Sequence, residues 1–130
     1  MLAATGRGLA DWQAATPPPL IPPNAAHRVV IDAPPDLLAA RIAQRFDAML
    51  ATGALDEARA VLPHWAPKAP WARAIGAPEL IAHLRGQMTL AETRDAAIIA
   101  TRQFAKRQRT WFRNRMKGWD RLNPIPSDSR

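Results

Sequence analysis

Between Pro17 and Pro23 the chain reads Pro-Pro-Pro-Leu-Ile-Pro-Pro, five prolines in seven residues. Proline lacks an amide hydrogen and fixes φ, so this run can be neither helix nor interior strand. A polyproline connector is one reading and a proline-rich recognition peptide is the other. Ahead of it, Met1–Ala4 is apolar and Thr5-Gly6-Arg7-Gly8 reads as a helix end or turn. Leu9-Ala10-Asp11-Trp12 is too short to bury much.

After the prolines, Arg28-Val29-Val30-Ile31-Asp32 is a β-branched run closed by Ala33-Pro34-Pro35, and it predicts one strand. A solitary strand is unstable, and no other segment offers a partner, so the strand is expected to want a sheet that the sequence does not contain. The remainder predicts helices. Asp36 is placed to cap a helix with apolar Leu38, Ile42, Phe46 and Met49, ended by Gly53. Leu55–Leu62 is a shorter helix stopped by Pro63. Pro78 suits the first turn of a third helix, Glu79–Arg85, terminated by Gly86. Thr89-Leu90-Ala91-Glu92 has the capping-box pattern for a last helix running to about Arg115. Gly118, Pro124 and Pro126 then predict a flexible tail. The expected fold is mainly α with one short strand.

Composition excludes several classes. The 130 residues allow one modest domain or a piece of one. With no Cys, disulfide scaffolds, thiolate metal sites and cysteine nucleophiles are ruled out. His27, His64 and His83 are scattered without ligand spacing. No run approaches the ~18–20 apolar residues of a membrane span, and nothing resembles a signal peptide, so a cytoplasmic setting is expected.

The charge has an address. Residues 1–100 carry nine basic and nine acidic side chains, whereas residues 101–130 carry nine and two, so the whole net charge of +7 lies in the last thirty residues. That asymmetry points to a polyanionic partner. On a helical projection Arg102, Lys106, Arg109, Arg113 and Lys117 fall within about 80° of one another. Ala97, Ile98, Thr101, Phe104, Ala105, Trp111 and Phe112 occupy another arc, expected to pack on the body. Like charges at this spacing repel unless a polyanion is supplied, and RNA, DNA or a diphosphate would serve.

Arg41 and Arg45 form a second basic pair, beside the apolar edge of the first long helix. Half-buried guanidinium groups there would suit a diphosphate gripped bidentately, or an intramolecular pair, or snorkelling stems. Trp71-Ala72-Arg73-Ala74-Ile75-Gly76-Ala77-Pro78 reads as a loop entering a helix. Gly76 permits close backbone approach, and the helix start favours an anion. Catalytic groups are scarce. Asp56 and Glu57 look exposed, and Thr5-Gly6-Arg7-Gly8 lacks both the spacing and the Lys of a phosphate loop.

The run Ala100-Thr-Arg-Gln-Phe-Ala-Lys-Arg-Gln-Arg-Thr-Trp-Phe-Arg113 closely resembles a signature near the C-terminus of tRNA dimethylallyltransferases, the tRNA prenyltransferases. Ala4–Gln13 resembles the family's TG-x-x-L segment. Arg41–Leu62 resembles its R-x-x-x-RF-x-x-ML-x-x-G-x-x-x-E-x-x-x-L pattern, and Arg73–Leu80 its R/Q-x-x-G-Y-x-E segment. Ala77 departs from the usual Tyr. These blocks cover nearly all of Ala4–Arg113.

The resemblance implies transfer of a dimethylallyl group from dimethylallyl diphosphate to the exocyclic nitrogen of adenine 37 beside the tRNA anticodon. It implies an α/β P-loop-type core, magnesium, and a monomeric cytoplasmic enzyme with no membrane and no DNA partner. By the resemblance, Arg45 contacts the diphosphate. Arg73, Ala74, Ile75, Gly76, Ala77 and Pro78 contact tRNA. So do Lys106, Arg107, Gln108, Arg109, Thr110, Trp111, Phe112 and Arg113. Arg41, Arg102 and Lys117 are further anion-contact candidates. The implied layout has a family-middle remnant and connector at 1–26, a strand and helices of the transferase core at 27–117, and the tail at 118–130. The glycine-rich phosphate loop, the general-base Asp and most of the sheet would lie upstream, so the isolated chain is expected to be inert. A non-catalytic RNA-binding helical module is the alternative, and a DNA-binding helical domain a third possibility.

Overall fold

The computed structural model describes residues 2–123 of the chain. Two short helices come first, α1 (Leu2–Thr5) and α2 (Leu9–Ala14), neither with a buried residue. The proline run takes neither helix nor strand until a 3-10 turn at Pro23–Ala25. Leu20 and Ile21 are fully or largely exposed there.

Strand β1 (Val29–Ile31) is followed by four helices, α3 (Pro35–Ala51), α4 (Ala54–Val61), α5 (Ala77–Leu84) and α6 (Leu90–Arg115). The expected helices are all present, with shifted ends. The cap of α3 is Pro34, with Pro35 in the first turn, so Asp36 lies inside the helix rather than capping it. The start of α6 matches its pattern. Glu92 N–H donates to Thr89 Oγ1 at 3.2 Å, and Thr89 N–H donates back to Glu92 Oε2 at 2.7 Å. Two of the free amides at that helix end are thereby satisfied.

The expectation of a solitary strand is corrected. β1 pairs in parallel with β2 (Asp120–Leu122), in the register Val29 to Asp120, Val30 to Arg121 and Ile31 to Leu122. Asp120 N–H donates to Arg28 O at 3.0 Å and Asp32 N–H to Leu122 O at 2.9 Å. Side chains brace the pair from both ends. His27 Nε2 meets Asp120 Oδ2 at 2.7 Å, and Arg121 Nη1 donates to Asp32 Oδ2 at 2.7 Å. Residues 120–122, expected within a tail, are thus a strand. Pro124 and Pro126, on which that expectation also leaned, lie outside the described residues.

The core sits where α3, α5 and α6 cross. Phe46, Leu80 and Ala97 form its buried cluster, with Leu50, Leu55, Ala58 and Ile98 packed around it. Thr93 is fully buried among them and donates its hydroxyl to Glu79 O at 3.4 Å. Gly76, at φ +96°, lies so close to Phe46 that an added Cβ would stand 3.2 Å from Cε2. The glycine therefore serves helix packing as well as the turn. Fully buried apolar side chains are few, so the helices cover one another thinly, and most apolar contact is partial.

Candidate functional site

An open groove of about 590 Å³ lies between α3 and the C-terminal part of α6. One wall is α3, through Pro35, Leu38, Ala39 and Ile42, with the carboxylate of Asp36. The other wall is α6, through Ile99, Arg102, Lys106, Arg109 and Arg113. Four of the five cations projected onto one stripe therefore share a single concavity. Among the described residues none of the four takes part in an ion pair. Arg109 is half-buried and the other three are exposed. Unrelieved like charges along a groove concentrate positive potential where an anion can enter.

The fifth cation does not belong to the stripe. α6 stops at Arg115 with Met116 as its cap, so Lys117 lies beyond the helix and outside the groove lining. Its projection assumed helical geometry for two more residues than the chain adopts. Phe104 and Trp111 also differ from expectation: they do not pack on the body and are 43% and 53% exposed. The buried residues of α6, Thr93 and Ala97, both lie in its first half, so Phe104 and Trp111 fall beyond its tightly packed part. Arg107 lies over the Phe104 ring at 5.9 Å, and Trp111 meets Phe112 edge-on at 5.8 Å. Arg107, Gln108, Trp111 and Phe112 border a shallow hollow, and Thr110 faces the groove. The rear of the helix is therefore aromatic and cationic, whereas its front sets four cations among Ile99, Ala105 and Thr110.

Arg41 and Arg45 are exposed on α3 rather than half-buried, and neither lines the groove. Nor is either in an ion pair among the described residues. An intramolecular salt bridge for them, weighed from spacing alone, is absent among the described residues.

In the segment from 70 to 78, a 3-10 turn (Pro70–Arg73) precedes α5. Ala72 is buried, which turns its neighbours Trp71 and Arg73 outward. The free amide at Gly76, expected to favour an outside anion, already donates to Glu79 Oε2 at 3.1 Å. That helix start is neutralised by its own carboxylate. Ala74, Ile75 and Pro78 are exposed and Ala77 half-buried.

Among the described residues no group of three His, Asp or Glu could hold a metal ion. Asp56 pairs with Arg59 on the surface of α4. The perturbed carboxyls serve structure: Asp47 is held below the usual carboxylate range by its hydrogen bonds to Arg94, and Glu92 by the Thr89 backbone amide. No helix is long and apolar enough to cross a membrane among the described residues.

The groove's α3 wall escaped sequence reasoning. Leu38 and Ile42 were visible as an apolar edge, but the spacing of one helix does not say that another stands opposite. Asp36 and Gln103 were missed for the same reason.

The profile of the IPP transferase family matches residues 1–115. A tRNA dimethylallyltransferase of Dinoroseobacter shibae is 64% identical over 129 residues, which are 99% of this chain and 43% of that protein. The tRNA dimethylallyltransferase of Paracoccus denitrificans is 61% identical over 92% of this chain and 39% of its own length. Among solved structures, the full-length tRNA isopentenylpyrophosphate transferase of Bacillus halodurans superposes with a TM-score of 0.68 at 32% identity. The match covers 78% of this chain and 34% of that one. The chain spans less than half the length of these curated relatives.

Proposed function

Because the chain belongs to the IPP transferase family, we propose that it forms the tRNA-contacting part of a tRNA dimethylallyltransferase. The reaction moves a dimethylallyl group from dimethylallyl diphosphate to N6 of adenine 37, with diphosphate leaving. The observation that carries the RNA assignment is the groove: Arg102, Lys106, Arg109 and Arg113 line one concavity with no ion pair among the described residues. A phosphodiester backbone laid along it would meet a cation about every 5–6 Å.

In this assignment Arg73 and the exposed Ala74–Pro78 segment form a second contact with the anticodon arm, and Arg107–Phe112 a third. Arg45, exposed on α3, would face the diphosphate of the prenyl donor, with Arg41 one turn away. Adenine N6 is out of reach while its base is stacked, so the acceptor must be turned out of the loop, and a grip on the flanking phosphates holds the strand while it turns. Magnesium finds no ligand cluster among the described residues. The setting is the cytoplasm and the enzyme a monomer.

A salt titration tests the assignment. The chain should bind a tRNA anticodon stem-loop with an affinity that falls steeply with salt, and duplex DNA of equal charge more weakly. Equal affinity for both would place it among DNA-binding helical domains instead.

A further inference from the structure

Trp71 is 50% exposed, yet its ring is not loose. It packs edge-on against Trp65, with centroids 5.4 Å apart and planes at 81°. The backbone beneath it is held as well, because Ala72 is 2% exposed and Ala74 N–H closes the turn on Trp71 O at 3.2 Å. Two residues on, Arg73 is exposed and in no ion pair among the described residues. Nothing in the helical body needs this indole at the surface, since the core closes around Phe46, Leu80 and Ala97 without it.

A rigid aromatic surface with an exposed guanidinium two residues along the same turn is the chemistry that recognises an unpaired nucleobase and a phosphate of the same strand. Every base has a π-face, and only an unstacked base can offer it. We propose that Trp71 is a stacking platform for an unpaired base of the bound RNA, with Arg73 taking the adjoining phosphate. This rests on the RNA assignment above and adds to it a requirement that the groove cations do not impose: the RNA must contain a loop. A charged groove alone accepts paired and unpaired strands alike, whereas an indole face does not.

The test compares Trp71→Leu and Trp71→Phe in the full 130-residue chain, using an RNA hairpin with a seven-nucleotide loop and a blunt RNA duplex of equal charge. Leu keeps apolar bulk against Trp65 but removes the π-face. Trp71→Leu should weaken hairpin binding about 5- to 150-fold and leave duplex binding and the salt slope unchanged. Trp71→Phe should bind the hairpin within about threefold of the parent, since it keeps a face on which a base can stack. Hairpin binding should also quench the parent's indole emission more than that of Trp71→Phe, a readout that holds even if the Leu variant unfolds. Equal quenching in both, or a folded Leu variant that binds the hairpin like the parent, overturns the platform alone. A parent chain that binds neither RNA overturns the RNA assignment and the platform with it.

Discussion

Arg94 on α6 and Asp47 on α3 meet fork to fork. Nε donates to Oδ1 at 2.5 Å and Nη2 to Oδ2 at 2.8 Å. The pair ties the two helices together at the end away from the groove, where Phe46 and Ala97 also touch the core. Beyond it the helices part and the groove opens. A bidentate pair of this kind fixes orientation as well as distance, so it sets the angle at which the cationic wall faces α3.

The pair carries a pH dependence of definite sign. Arg94 hydrogen bonds hold the Asp47 carboxyl below its ordinary value of 3.8. A depressed folded-state value means that stabilisation is complete above the ordinary value and is lost as pH falls through the depressed one. Glu92 follows the same sign through its bond from Thr89. Thermal midpoints measured from pH 7 down to pH 2 should fall on the acid side. Asp47→Asn should flatten part of that fall, and a curve parallel to the parent's would remove Asp47 from its cause.

Gly76→Ala should cost about 1–2 kcal/mol in chemical denaturation, because a side chain at positive φ is strained. It should cost more than Gly86→Ala. Both glycines have positive φ, but at Gly86 an added Cβ meets open space, whereas at Gly76 it meets Phe46. Equal losses would mean that Phe46 yields freely.

Phe46→Ala removes the largest side chain of a thin buried cluster. Such deletions cost about 3–5 kcal/mol, comparable with the whole stability of a small domain. The variant should show no cooperative thermal transition by circular dichroism. A sharp transition near the parent's would place the core elsewhere.

The β1–β2 pairing predicts slow amide exchange at Asp32 and Asp120, whose N–H groups donate across the strands. Arg121→Gln, which breaks the bond to Asp32, should speed exchange at both. Exchange unchanged by that substitution would show that the backbone ladder holds without its side-chain brace.

Local features were legible in the sequence and long-range ones were not. The capping box at Thr89 and Glu92 lies within four residues, so the start of α6 was readable. So were the breaks at Gly53 and Gly86, which adopt positive φ. Strand β2 was hidden because Asp120-Arg121-Leu122 has no β-branched pattern. Its conformation comes from β1, some ninety residues earlier in the chain. The cationic stripe was legible as far as Arg113, because helical spacing alone defines it. Which neighbouring arc faces the body was not, since that depends on where α3 and α5 end. The helical projection puts Phe104 and Trp111 on an arc expected to pack inward, and both are exposed.

The central claim is that the α6 wall of the groove holds an RNA backbone. The most direct measurement is the salt dependence of tRNA anticodon-arm binding for the parent and for the combined variant Arg102→Gln, Lys106→Gln, Arg109→Gln, Arg113→Gln. With Arg59→Gln, a cation paired on another helix, as control, the account predicts a log–log slope shallower by about 3 for the combined variant, as expected for four lost phosphate contacts. The control slope should not change. A combined variant that stays folded and keeps the parent's slope would contradict it.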